Sequence, residues 1–271
     1  MSETLWTSSQ VAEAQDFFRS VQERLMAAFA QVDPEGREER ESWQRPAGGG
    51  GTMAVMRGPV VEKAGANFSC VHGDNYPTTE SEHAGKSFMA SGVSSITHMA
   101  NPHAPIGHMN VRLIQVGEDK FWFGGGADLT PCIRYEEDTQ AFHAALRDAC
   151  GLLDSEAYAR YSKWCDEYFY IQHRQEVRGV GGVFFDYLEG SFAQLFPFVQ
   201  AVANAYVEVF PRILQKRCRL PFTEEEKEQQ LFWRGRYAEF NLVYDRGTRF
   251  GLLTGGNTKA IFVSLPPVVK W

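Results

Sequence analysis

The sequence lacks the features that mark several common protein classes. None of its five cysteines forms a CxxC pair, and an odd number argues against a disulfide framework. The amino-terminal segment has no basic region followed by an apolar run, so no secretory signal is expected. No apolar stretch approaches the length needed to cross a bilayer. We therefore predict a cytoplasmic protein with reduced thiols at Cys70, Cys132, Cys150, Cys165 and Cys218.

Positive charge is also scarce. The chain has 27 Lys and Arg against 34 Asp and Glu, which gives a formal net charge of −7. Because nucleic-acid binding needs a basic face, this charge argues against a protein whose main function is to bind nucleic acid. A small acidic ligand is not excluded, since a few local arginines can bind it. The abundant aromatic residues, at 13%, indicate either an ordinary core or the wall of a pocket for a large flat ligand.

Hydrophobic periodicity predicts an α+β fold in one domain spanning residues 1–271. Period-two alternation dominates 91–124 and recurs in several shorter segments, which favours strands joined by hairpins. Blocks of helix fall between these strands, so we expect a large, flat, mainly antiparallel sheet with helices on both faces. Strands are predicted at 52–56, 59–71, 91–124, 179–188 and within 235–265, and helices at 8–33, 136–153, 155–174, 191–218 and 223–233.

Two polar segments are predicted to be irregular. Residues 34–51 are charged and end in four glycines, which is typical of an exposed, flexible loop that could act as a lid. Residues 74–86 form a second polar loop. The closing segment at about 235–271 alternates polar and apolar residues, which favours a sheet-forming dimer interface.

The stretch HMNVR, residues 108–112, carries the most informative pattern. In a strand, alternate side chains share a face, so His108, Asn110 and Arg112 point one way while their neighbours enter the core. A solvated outer face would give the same pattern. The preceding strand carries Ser95, Thr97 and His98, and pairing of the two strands is expected to bring these groups near the first set.

The stretch FWFGGGADLTP, residues 121–131, combines three glycines with Asp128. A phosphate-binding loop is disfavoured, because no lysine is near and Pro131 follows the glycines within five residues. Glycines at a strand end allow another backbone or a ligand to approach closely. Asp128 is then either a turn former or a buried acid.

Two further groups are ambiguous. Arg174 and Arg178 precede a glycine turn, where they could complement a helix dipole or bind a carboxylate. No HExxH or Cys–His spacing indicates a metal site. His143 flanks an apolar helix face, so a buried, hydrogen-bonded role is favoured there over metal ligation.

Taken together, the segments resemble the oxygen-dependent coproporphyrinogen III oxidases. The shared motifs are SGVSSITH, NPHAPIGHMNVR, WFGGGADLTP, KWCDEYFYIQHR, GVGGVFFDYL, RGRYAEFNLVYDRGTRFGL and SLPP..W, in order from about residue 40 to the end. The resemblance implies a homodimeric enzyme of heme biosynthesis with a flat antiparallel sheet. The family converts the ring A and B propionates of coproporphyrinogen III to vinyl groups, giving protoporphyrinogen IX and two carbon dioxide. It uses dioxygen and no organic redox cofactor.

The resemblance also implies roles for individual residues. His108 matches the family's proton donor, Asp128 the acid of its glycine motif, and Arg178 an arginine associated with activity. Substrate contacts are implied for Ser94, Asn110, Val111, Arg112, Arg178, Gly255, Gly256 and Asn257. Divalent-metal ligands are implied at His98, His108, His143 and His173. The family motif TGGR reads TGGN here, so Lys259 or another group is expected to replace the basic residue at Asn257.

These roles suggest a mechanism in which Asp128 accepts the pyrrole N–H bonds as a base and His108 moves protons. Arg112, Arg178 and Asn110 would bind the substrate propionates. Two alternatives stay open: a histidine-metal oxygenase, and a tetrapyrrole-binding protein that has lost catalysis.

Overall fold

The computed structural model describes residues 5–77 and 83–271. Residues 78–82 of the predicted loop at 74–86 lie outside the described residues. The strands are β1 Arg37–Gln44, β2 Gly49–Arg57, β3 Lys63–Gly73, β4 Phe88–His98, β5 Ile106–Val116, β6 Lys120–Thr130, β7 Tyr170–Ile171, β8 Glu176–Val177 and β9 Gly182–Leu188. The helices are α1 Ser8–Val32, α2 Glu136–Cys150, α3 Ala157–Tyr168, α4 Phe192–Arg217, α5 Glu224–Val243, α6 Arg246–Leu253 and α7 Thr258–Ile261. Short 3₁₀ turns occupy Gln172–Arg174 and Phe262–Ser264.

Seven strands form one antiparallel sheet in the order β1-β2-β3-β4-β5-β6-β9. The first six are joined in chain order, and β9 returns beside β6 after α2 and α3. The strands β7 and β8 form a separate two-stranded ribbon. The predicted α+β fold with an antiparallel sheet is confirmed.

One sheet face carries the main core. Helix α1 buries Phe18, Val21 and Leu25, whose three- and four-residue spacing places them on one side of the helix. Helices α1 and α4 pack across the middle strands, while α2 and α3 pack near β9. The alternate residues Met109 and Val111 of β5 are fully buried in this core, so this face is sealed from solvent.

The other face is covered by the carboxyl-terminal helices α5 to α7, where strands were predicted. The prediction was wrong because the alternation at 237–244 continues a helix that begins at the capping box of Thr223 and Glu226. Arg234, Tyr237 and Asn241 of this helix are buried at three- and four-residue spacing. Helices therefore lie on both faces, as expected. Within the described residues, no helix is long and apolar enough to cross a membrane.

The predicted loop at 34–51 is largely strand. Residues Arg37–Gln44 form β1 and pair with β2 along their whole length. Its charged sequence, REERESWQ, looked like a loop because β1 is an exposed edge strand, and charges on an edge discourage pairing with other chains. The predicted helix at 155–174 is also shorter, since it ends at Tyr168 and the β7–β8 ribbon follows.

Candidate functional site

Polar side chains of β4, β5 and β6 collect on the face beneath the carboxyl-terminal helices. We call Ser94, His108, Asn110, Arg112, Gly124, Gly126 and Asp128 the polar face. The register pairs Ser94 with Asn110, and it pairs His108 with Asp128. Directly opposed residues in antiparallel strands project to the same side. The predicted grouping of His108, Asn110 and Arg112 is thus confirmed.

The neighbours predicted from β4 were only partly right. Ser95 lies opposite Met109, so Ser95 and Thr97 point into the core on the far side of the sheet. Ser94 and Ser95 lie on opposite faces of the sheet, because successive residues of a strand project to opposite sides. The hydroxyl on the polar face comes instead from Ser94, for which the family resemblance implies a substrate contact.

His108 and Asp128 form the central pair of the site. The Nδ1–H of His108 donates to Oδ1 of Asp128 at 2.7 Å, and Oδ2 of Asp128 accepts from Arg178 at 2.7 Å. The Asp128 side chain is only 1% exposed, whereas that of His108 is 20% exposed. Burial works to raise the pKa of Asp128, but the charges and hydrogen bonds of Arg178 and His108 lower it overall.

This geometry changes the expected role of Asp128. Its two oxygens are already bound to protein groups beneath the surface, so it does not present an open carboxylate to pyrrole N–H groups. An ionised Asp128 instead fixes the tautomer and orientation of His108 and leaves Nε2 as the ring nitrogen outside this pair. His108 is therefore the more accessible member of the pair.

Arg178 is enclosed rather than exposed. Its guanidinium lies 4.0 Å from the centroid of the Phe169 ring and 4.4 Å from that of Tyr237. It also donates to Oδ1 of Asn241 at 3.1 Å. Arg174 does not join it, because Arg174 binds Glu239 at the surface. The expectation that Arg178 grips a substrate carboxylate is not met in this arrangement, where it binds Asp128.

Arg112 is a partly exposed cation on the polar face. Its side chain is 28% exposed, and it donates to Oδ1 of Asn110 at 2.9 Å. Asp186 of β9 approaches it at 2.8 Å. Burial opposes the charge on Arg112, yet the carboxylate of Asp186 raises its pKa overall. Arg112 therefore stays cationic beside an amide, which is a suitable site for a carboxylate.

The three glycines of β6 have different surroundings. Gly124 and Gly126 lie opposite Arg112 and Asn110 on the polar face, whereas Gly125 lies opposite Val111 and faces the core. A Cβ on Gly125 would lie 3.0 Å from the Phe185 ring and 2.6 Å from the Asn110 carbonyl oxygen. The three glycines are therefore not one cleared surface for a ligand, since Gly125 serves packing.

The four histidines implied as metal ligands are not brought together within the chain. Nε2 of His98 donates to the Ser264 carbonyl at 3.0 Å, and His143 bonds to Tyr158 and the Val180 carbonyl. His173 bonds to Tyr244 and Glu239. Across residues 5–77 and 83–271, no group of three or more His, Cys, Asp or Glu is placed to hold a metal ion. These residues do not fit a metal centre inside one chain, and His143 has the hydrogen-bonded role favoured from sequence.

The TGGN motif uses its polar groups for structure. The Asn257 side chain caps α7 by accepting from the Ala260 N–H at 3.1 Å. Lys259 pairs with Glu41 of β1, so it does not replace the missing basic residue at the polar face. Gly255 has a φ of 67° and open space around it, which suits a turn.

Two residues beside the site were not identified from sequence. Asp186 contacts Arg112, and Arg246 at the start of α6 lies 3.7 Å from the same carboxylate. Asp186 had a detectable signal, because it is the single acid in the otherwise apolar strand VFFDYL. Arg246 had none, since its position depends on the helical course of 235–265.

Comparison with known proteins identifies the family of this chain. The family model described as coproporphyrinogen III oxidase matches residues 13–271. The chain belongs to the coproporphyrinogen III oxidase family. Curated relatives from two strains of Rickettsia bellii, named oxygen-dependent coproporphyrinogen-III oxidase, are each 46% identical. Each alignment covers 94% of this chain and 96% of the relative. The range matched by the family model includes the residues that form the polar face.

Proposed function

We propose that this chain catalyses the oxygen-dependent oxidative decarboxylation of coproporphyrinogen III in heme biosynthesis. The ring A and B propionates become vinyl groups and the product is protoporphyrinogen IX. The observation that carries the proposal is the His108–Asp128 pair on the same sheet face as Arg112, where the side chains of His108 and Arg112 stay partly exposed. The full-length similarity to enzymes named for this activity supports it.

The polar face offers what a porphyrinogen needs to bind. The substrate carries propionate carboxylates around a broad macrocycle, and Arg112 with Asn110 provides a charged donor and an amide for one of them. Ser94 adds a hydroxyl on the adjacent strand. Gly126 lies between these groups, where a Cβ would lie 2.3 Å from the Val183 carbonyl oxygen of β9. The bound propionate would then lie near His108.

His108 is the group we assign to proton transfer. Asp128 accepts the Nδ1–H, so Nε2 can take a proton from the substrate and return it. Arg178 stabilises the charge of Asp128 from below, which keeps the pKa of Asp128 low and its carboxylate ionised. Asp128 acts through His108 in this scheme, and Arg178 acts through Asp128.

Each propionate loses carbon dioxide and one further hydrogen as its carbon–carbon double bond forms. The two electrons released pass to dioxygen, which is a co-substrate. We propose no organic cofactor. A divalent metal held by His98, His108, His143 and His173 would require partners outside one chain, and no step above depends on one.

We further propose that the protein acts as a cytoplasmic homodimer and binds no nucleic acid. Its five thiols are unpaired, which fits a reducing compartment. Large apolar side chains are exposed close together in sequence at the carboxyl-terminal end, as expected of an interface. They are Leu242, Val243, Leu252, Leu253, Val268 and Trp271.

The function is tested by incubating the protein with coproporphyrinogen III with and without air. Chromatography of the oxidised porphyrins should show a two-vinyl product only in the aerobic sample. Exhaustive chelation beforehand separates a metal-dependent oxygenase from the proposed enzyme. No vinyl product in air would leave a tetrapyrrole-binding protein that has lost catalysis.

A further inference from the structure

Asp186 lies in an irregular part of β9. The pairing of β6 with β9 shifts between Phe123 and Gly125, so that Asp186 and Tyr187 together lie opposite Gly124. Such a bulge redirects side chains and bends the strand. Tyr187 has a φ of 49°, which is uncommon for an aromatic residue. The bulge therefore has a conformational cost, and costs of this kind concentrate at functional positions.

The bulge turns both side chains toward the polar face. Regular alternation would send Tyr187 into the core, but its ring stacks on Trp122 with centroids 5.3 Å apart. The backbone N–H of Tyr187 donates to Oδ1 of Asp186 at 3.1 Å. The carboxylate is thereby fixed by its own strand, and Oδ2 is directed at Arg112.

Arg112 is held from two sides. Asn110 binds one end of its guanidinium at 2.9 Å and Asp186 binds the other at 2.8 Å. The Asp186 side chain is 11% exposed, so the carboxylate lies deeper than the guanidinium. A planar guanidinium has five N–H donors in fixed directions, and fixing two of them orients the rest.

Gly124 makes this ion pair possible. Arg112 comes from β5 and Asp186 from β9, so the pair must cross β6, which lies between them. A Cβ on Gly124 would lie 2.5 Å from Oδ1 of Asp186 and 2.8 Å from Nε of Arg112. The clearance at the first glycine of the triplet thus serves the ion pair.

We propose that Asp186 is the positioning residue for Arg112. It holds the guanidinium with its remaining donors directed at a substrate carboxylate, and the β9 bulge and Gly124 provide the path for the pair. This inference rests on the proposed function, in which Arg112 binds a propionate. Ion pairs near a surface contribute little stability, so orientation is the main contribution of this one.

The test is steady-state kinetics with coproporphyrinogen III for Asp186→Ala, Arg112→Ala and the double variant. Asp186→Ala should raise KM about tenfold or more, with kcat within about threefold, because a charge-assisted hydrogen bond is misdirected. Adding Asp186→Ala to Arg112→Ala should change KM by less than about twofold, since residues that act through one another are not additive. Asp186→Asn keeps an acceptor oxygen and should recover much of the loss. Gly124→Ala should resemble Asp186→Ala.

Asp154→Ala is the matched control, because it removes an exposed ion pair with Arg160 in the connection between α2 and α3, outside the polar face. An unchanged or lower KM in Asp186→Ala, or full additivity in the double variant, would overturn the inference. Equilibrium binding of coproporphyrin III, the oxidised tetracarboxylate, repeats the comparison without turnover. An inactive wild-type protein would refute the proposed function, while this binding series would still decide the role of Asp186.

Discussion

At the residue scale, the site depends on a buried chain of charge. His108 touches solvent, Asp128 lies beneath it, and Arg178 lies beneath Asp128 among aromatic rings. Only His108 has an appreciable exposed fraction, since the side chains of Asp128 and Arg178 are 1% and 2% exposed. The family resemblance placed all three residues in the site. It did not predict how deeply each is buried, because burial depends on how α5 and the segment before β9 pack over the sheet.

Replacing Asp128 should therefore affect stability as well as activity. Asp128→Asn leaves the charge of Arg178 buried without a partner, which should lower the free energy of unfolding by about 3–5 kcal/mol. The double variant with Arg178→Met removes both charges and should recover most of that loss, measured by urea unfolding. Both variants should lose activity by about 100-fold or more, because His108 is no longer oriented.

Either of two results would contradict the link between stability and activity at Asp128. A stable Asp128→Asn protein would show that Arg178 does not need its partner. Activity recovered by the double variant would show that the buried charges serve stability alone.

At the scale of elements, the carboxyl-terminal turn is fastened to the sheet by polar side chains. Lys63 donates to the carbonyls of Phe262 and Leu265, and His98 donates to that of Ser264. Burial lowers the pKa of His98 to about 3. These contacts were invisible in the sequence, because they join β3 and β4 to a segment that was predicted to be strand.

The buried His98 predicts a pH dependence of stability. In the unfolded chain it takes up a proton below pH of about 6.5, whereas in the folded chain it resists protonation down to about 3. Its contribution is thus complete above the unfolded pKa and falls as pH decreases toward the folded value. The loss should be about 2 kcal/mol at pH 5 relative to pH 7.

Urea unfolding of the wild type and His98→Gln at both pH values, at one protein concentration, measures this. The variant should lose about 2 kcal/mol less than the wild type between pH 7 and pH 5. Equal losses in the two proteins would show that His98 does not titrate as its burial demands.

Helices and strands were predicted correctly where the hydrophobic pattern fitted only one kind of secondary structure. The middle strands and α1 follow simple periods, and their burial matches those periods. The prediction of strands within 235–265 was wrong, because alternation over a few residues also fits one face of a helix. Edge strand β1 was not predicted, because its side chains are exposed and show no alternation of apolar residues. The sequence predicted that the glycines allow a close approach. It did not predict that Gly124 leaves room for an ion pair between β5 and β9.

At the scale of the whole molecule, the exposed apolar residues near the carboxyl terminus predict self-association. The wild type should sediment at twice the 30.6 kDa mass of one chain. Leu253→Asp places a charge on a side chain that is 71% exposed and should shift the mass toward one chain. Leu152→Asp is the control, because Leu152 is 63% exposed in the turn after α2. A monomeric wild type, or dissociation of the control alone, would refute the dimer.

The central claim is that the polar face is where coproporphyrinogen III reacts, with His108 as its proton-transfer group. The most direct measurement compares kcat/KM for vinyl product in His108→Ala and His72→Ala. His72 is an exposed histidine of β3, outside the polar face. We expect a loss of about 100-fold or more for His108→Ala, and a change within about threefold for His72→Ala. Wild-type rates in His108→Ala, or equal losses in both variants, would contradict it.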